Sequence, residues 1–101
     1  MAKQRKGRRA GLSVVHPQAA GLDVGSRFHV ATVGAEAAAD PVRSFNTFTG
    51  DLHRLADWLA ACGVTTVAME STGIYWIPVY EVLEDRGFEV ILANAREAKN
   101  V

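Results

Sequence analysis

GLDVGSRFHVATVG, residues 21–34, is the stretch on which the reading of this chain turns. Leu22 and Val24 alternate with Asp23. Further on, Phe28, Val30 and Thr32 alternate with His29, Ala31 and Val33. Successive side chains of a strand point to opposite faces, so the pattern predicts two strands, residues 19–25 and 27–34. Gly25-Ser26 reads as the short hairpin turn between them. Asp23 is the anomaly. Strands disfavour Asp and Gly in their interiors, so a carboxylate there needs a use.

Outward from this hairpin the pattern changes twice. Asp40-Pro41 punctuates the chain before a third strand near 42–48. In TGDLHRLADWLAACG, residues 49–63, Leu52, Leu55, Ala56 and Leu59 recur at helical spacing on one face. Thr49 or Asp51 is expected to cap that helix and Gly63 to end it. VTTVAME, residues 64–70, reads as a buried strand. STGIYWIPVYEVLEDRG, residues 71–87, reads as a second helix with Ser71 or Thr72 near its start. Pro78 begins its regular part or kinks it. FEVILAN, residues 88–94, is a fifth strand.

The order is β-β-β-α-β-α-β. Strands joined by short turns pair antiparallel, and strands separated by helices pair parallel through right-handed crossovers. A ribonuclease-H-like α/β layout satisfies both: a mixed five-stranded sheet with helices against it and the first strand beside the fourth. Asp23 near the end of the first strand and Glu70 at the end of the fourth then project from the carboxyl edge. Ligands of open α/β sheets bind at that edge. Neighbouring strands lie about 4.8 Å apart. Two bare carboxylates at about 4 Å repel by roughly 4 kcal/mol at an effective dielectric near 20. Such a pair persists if one acid is protonated or a cation lies between them. Magnesium suits the site, because it prefers oxygen ligands and takes one or two protein carboxylates with water and phosphate oxygens. Two such ions can clamp the attacking and leaving oxygens of a phosphodiester.

GLDVG, VAMESTGIYWIPVYEVLEDRGFEVILAN and AREAKNV together resemble the N-terminal region of the DEDD transposases. These are insertion-sequence recombinases of the "one-ten" family, whose nuclease domain is similar to the RuvC resolvase. The resemblance runs from Gly21 to Val101. Its most specific part is Met69-Glu70-Ser71-Thr72-Gly73 with Tyr75, Trp76 and Pro78. It implies that Asp23 is the first acid of a catalytic, metal-binding tetrad and Glu70 the second. The family's last two acids lie beyond a segment similar to AREAKNV. The resemblance therefore implies a fragment, incomplete at its C-terminus, with weak magnesium binding and no strand cleavage of its own. A two-ion magnesium site is expected in the full-length parent. So are DNA as substrate, a structured guide RNA, homo-oligomeric assembly and a bacterial cytoplasmic setting.

The remaining residues bear on partners. The chain has 101 residues and a formal net charge of zero, which bounds it to one domain. Its charge is unevenly placed. Lys3, Arg5, Lys6, Arg8 and Arg9 crowd the first nine positions, and the rest carries six basic and eleven acidic residues. Residues 1–17 read as a disordered tail, and 18–101 as the N-terminal part of the nuclease domain. The tail is a solvated terminus or an electrostatic arm for nucleic acid. Ser71 and Thr72 cap a helix or hold a phosphate at its N-terminus. Arg96 is a loop residue or a contact to a phosphate backbone. Tyr75 and Trp76 read as packing residues, and His29 as structural. Cys62, the single cysteine, excludes an internal disulfide and a zinc cluster. No apolar run approaches a membrane helix or a signal sequence.

Two other functions compete. Asp-x-Gly-Ser between two strands resembles the first phosphate loop of actin-like ATPases and sugar kinases, but a second Gly-rich phosphate loop is missing from the sequence. The other alternative is a non-catalytic fragment that binds nucleic acid through its tail or associates with further copies.

Overall fold

A computed structural model describes residues 18–71 and 73–94. The elements are β1 (Ala19–Val24), β2 (His29–Thr32), β3 (Val42–Phe45), α1 (Thr49–Ala61), β4 (Thr66–Ser71), α2 (Trp76–Asp85) and β5 (Glu89–Asn94). They form one five-stranded sheet in the order β3-β2-β1-β4-β5. β1 pairs antiparallel with β2, and β2 with β3, while β1–β4 and β4–β5 are parallel. This is the ribonuclease-H-like arrangement expected from the element order.

One face of the sheet is built for the helices. Ala20, Leu22 and Val24 of β1 and Val67 and Met69 of β4 meet Leu52, Leu55, Ala56 and Leu59 of α1 and Val79 and Leu83 of α2 in a single core. The four α1 residues are those its helical spacing singled out. Burying each large aliphatic side chain contributes roughly 1.5–3 kcal/mol, so this stripe is the main force seating the helix. The Arg86 guanidinium pairs with Asp57 and lies 3.2 Å from His53 Nδ1, linking the end of α2 to the exposed side of α1. At the surface such a pair adds little stability.

Both helices end in the same way. Gly63 and Gly87 adopt φ of +79° and +92°. The Gly63 N–H donates to Ala60 O and the Val64 N–H to Leu59 O. Gly87 and Phe88 repeat this with Glu84 O and Leu83 O. These are paired Schellman closures, each bringing an apolar residue back onto the core.

The structure corrects several boundaries. The β1–β2 connection spans residues 25–28 rather than two residues, because the last rung of the pair is Val24 with His29. Gly25 is required there: a Cβ on it would lie 2.7 Å from the Phe28 carbonyl oxygen. α1 is capped by Asp51, whose Oδ2 accepts the Phe48 N–H at 3.1 Å, and Thr49 lies inside the helix. β4 runs 66–71, so Ser71 closes the strand, and α2 begins only at Trp76 after an N-cap at Tyr75. Pro78 sits in the first turn of α2, where a missing N–H costs no helical bond. Trp76 packs edge-on against Tyr80 at 5.6 Å, but Tyr75 is exposed. Cys62 is half-buried at the core margin.

Candidate functional site

Asp23 and Glu70 are register partners on adjacent parallel strands. Because facing residues of paired strands share a side, both carboxylates stand on the sheet face away from the helices. Both are exposed. Their rung crosses the whole sheet as Ser44, Val30, Asp23, Glu70 and Ala93. Two residues below lie Gly21 and Ala68, again partners. The acids are thus bordered by small side chains, which leaves their approach open. No described element covers this face, and Ile91 on it is 52% exposed. Neither acid has a basic partner among the described ion pairs.

The loop after β1 adds a cation. Asp23, Gly25, Ser26, Arg27, Phe28 and Val30 line a shallow hollow of about 260 Å³. Arg27 stands four residues after Asp23, and it is the one positive side chain lining that hollow. The sequence reading passed over it, although its place inside the turn next to Asp23 was the available signal.

Ser71 lies elsewhere. It is 6% exposed, one residue past Glu70 and therefore on the opposite face. Its hydroxyl is 3.4 Å from both the N–H and the carbonyl oxygen of Gly73. It closes the strand rather than capping α2, so Ser71 does not stand at the N-terminus of that helix as expected. Thr72, Arg96 and the basic residues Lys3, Arg5, Lys6, Arg8 and Arg9 lie outside the described residues.

His29 is 2% exposed on the core face. Its Nδ1 accepts the Gly25 N–H at 3.3 Å. Burial pushes its pKa below the ordinary imidazole value, and the nearby negative charge of Asp23 partly opposes this. Among the described residues no group of three or more His, Cys, Asp and Glu side chains comes together to hold a metal. The Asp23–Glu70 rung offers two carboxylates, the oxygen-donor type that a hard cation prefers, with an open approach.

A family model described as "Transposase", for DEDD transposases of the one-ten insertion sequences, matches residues 20–101. A search of curated proteins finds no match.

Proposed function

The chain belongs to the DEDD insertion-sequence transposases, and on that premise we propose that Asp23 and Glu70 are two metal-binding carboxylates of a centre for DNA strand cleavage and transfer. The observation that carries this reading is their shared rung on β1 and β4. The family's work is transposition, and DNA is the partner that implies.

In this reading the two acids hold a hard divalent cation from the bare face of the sheet. Gly21, Ala68 and Ala93 keep the surrounding surface low enough for a phosphodiester backbone to reach them. Arg27 meets a phosphate oxygen at the rim of the same hollow. Magnesium, when bound, polarises a phosphodiester oxygen and lowers the pKa of an attacking water or hydroxyl. The basic residues 3, 5, 6, 8 and 9 add non-specific, salt-sensitive attraction to the backbone, and Arg96 is proposed as a further contact to a phosphate. A structured guide RNA, homo-oligomeric assembly and a bacterial cytoplasmic setting complete the proposal. No described helix is long and apolar enough to cross a membrane.

Two carboxylates alone hold magnesium weakly, so the 101-residue chain is expected to bind the ion at millimolar rather than micromolar concentration and to leave DNA uncut. The test is Mn²⁺-induced broadening of amide NMR signals. Broadening centred on Val30, Ala68 and Ala93, and abolished by Asp23→Asn, supports the site. Broadening centred elsewhere, or unchanged by that substitution, removes it.

A further inference from the structure

We propose that a pocket behind the β1–β2 turn binds a single unstacked nucleobase of the strand that crosses the Asp23–Glu70 rung. This rests on the nucleic-acid reading above but concerns a different set of residues.

The pocket encloses about 420 Å³, within the usual range of roughly 300–1,000 Å³ for small-ligand sites. Its walls are apolar: Leu52 from α1, and Ile74, Tyr75, Ile77 and Pro78 from the start of α2. Ile74 and Tyr75 are 72% and 51% exposed, a costly way to leave apolar surface in an unliganded protein.

One polar group lines this apolar hollow from deep in the protein. The His29 ring is 2% exposed and forms part of the wall. Because Nδ1 accepts the Gly25 N–H, the neutral ring carries its proton on Nε2. Among the described residues that Nε2–H has no hydrogen-bond acceptor. A buried donor without a partner is costly, and a ligand acceptor removes the cost. A nucleobase matches the whole set. Its faces suit apolar and aromatic walls, and its edge offers ring-nitrogen or carbonyl acceptors. Ser26 and Thr47, which also line the pocket, can meet further edge atoms.

The position fits too. Ser26 lines both this pocket and the hollow that contains Asp23. A nucleotide with its phosphate at the rung therefore has its base within reach of the pocket, across the 25–28 turn.

The experiment uses the full 101-residue chain, labelled at histidine nitrogens and at leucine and isoleucine methyls, in EDTA. Deoxynucleoside 5′-monophosphates are titrated, with deoxyribose 5-phosphate as the base-free control. The proposal expects saturable movement of His29 Nε2 and of the Leu52 and Ile77 methyls with the nucleotides alone. Tyr75→Ala, at an exposed position that should not affect folding, is expected to weaken binding roughly tenfold. His29→Leu is expected to weaken it similarly. No movement at about 10 mM nucleotide, or equal movement with the base-free control, overturns the proposal. So does movement that follows protein concentration instead, which assigns the pocket to a second copy. Base binding without Mn²⁺ at the rung would sink the metal reading and keep this one, and the reverse result would do the opposite.

Discussion

Asp23 and Glu70 face each other on one rung of a parallel strand pair, and among the described residues no cation-bearing side chain is bonded to either. Like charges directly across a sheet destabilise by about 0.2–1 kcal/mol. In EDTA, Asp23→Asn or Glu70→Gln is therefore expected to raise the melting temperature slightly. On the proposed reading, added magnesium should stabilise the native chain, because a site made by two strands exists only in the folded form, and should not stabilise either variant. Thermal unfolding with and without Mg²⁺ reads both effects. A melting temperature that falls on neutralising one acid in EDTA would mean the pair is not in net repulsion.

β1 and the turn that follows it offer a sharper steric contrast. A Cβ on Gly25 meets the Phe28 carbonyl oxygen at 2.7 Å, whereas one on Gly21 meets nothing within 4 Å. Gly25→Ala must push the turn apart and is expected to cost about 1–3 kcal/mol. It should also disturb the Gly25–His29 hydrogen bond and shift the imidazole ¹⁵N signals. Gly21→Ala, which only reduces the freedom of the unfolded chain, is expected to be neutral or to stabilise by up to about 1 kcal/mol. Urea unfolding of the two variants gives the comparison. Equal losses would show that the turn yields freely.

His29 makes stability depend on pH. Its folded pKa is lowered by burial, with Asp23 opposing. Above the ordinary imidazole value, near about 6.5, neither folded nor unfolded chain carries the proton. As pH falls below that value the unfolded chain takes it up and the folded chain does not. Stability is then lost by up to about 1.4 kcal/mol per pH unit until the folded pKa is reached. Asp23→Asn removes the opposing charge, lowers the folded pKa further and extends the loss to lower pH. His29→Leu should flatten the curve between about pH 6.5 and 5, above the range where ordinary carboxylates titrate. Urea midpoints at several pH values measure it.

The topology was legible because period, length and turn residues agreed. The stripe Leu52, Leu55, Ala56 and Leu59 is the buried face of α1, and β1 lies beside β4 because a crossover helix places it there. With that adjacency, two distant acids could be set on one rung from their positions near strand ends. What misled was chemistry shared by two structures. Ser71-Thr72-Gly73 has the composition of a helix start, yet β4 continues through Ser71 because β5 supplies a rung for it at Asn94. The length of the β1–β2 turn was hidden because Gly25 is needed for a close backbone approach rather than for a two-residue hairpin. The His29 pocket was invisible for another reason: its walls come from the β1–β2 turn, the approach to α1 and the start of α2. Only packing brings those segments together.

The helix ends provide a test free of packing effects. Gly63 and Gly87 have φ of +79° and +92°, and an added Cβ meets nothing within 4 Å at either. Alanine there suffers only the backbone cost of a left-handed conformation, about 1–2 kcal/mol. Asparagine, which visits that region more readily, should recover part of the loss. The two sites lie at the ends of different helices, so the double variant Gly63→Ala/Gly87→Ala should lose close to the sum of the singles. A shortfall would have a physical meaning: α2 and the β5 edge it feeds open separately from α1. Hydrogen exchange at Phe88 and Val64, whose N–H groups close the two Schellman motifs, would then show unequal protection. Equal protection at the two amides, with additive losses, would mean that both helices unfold with the sheet as one cooperative unit.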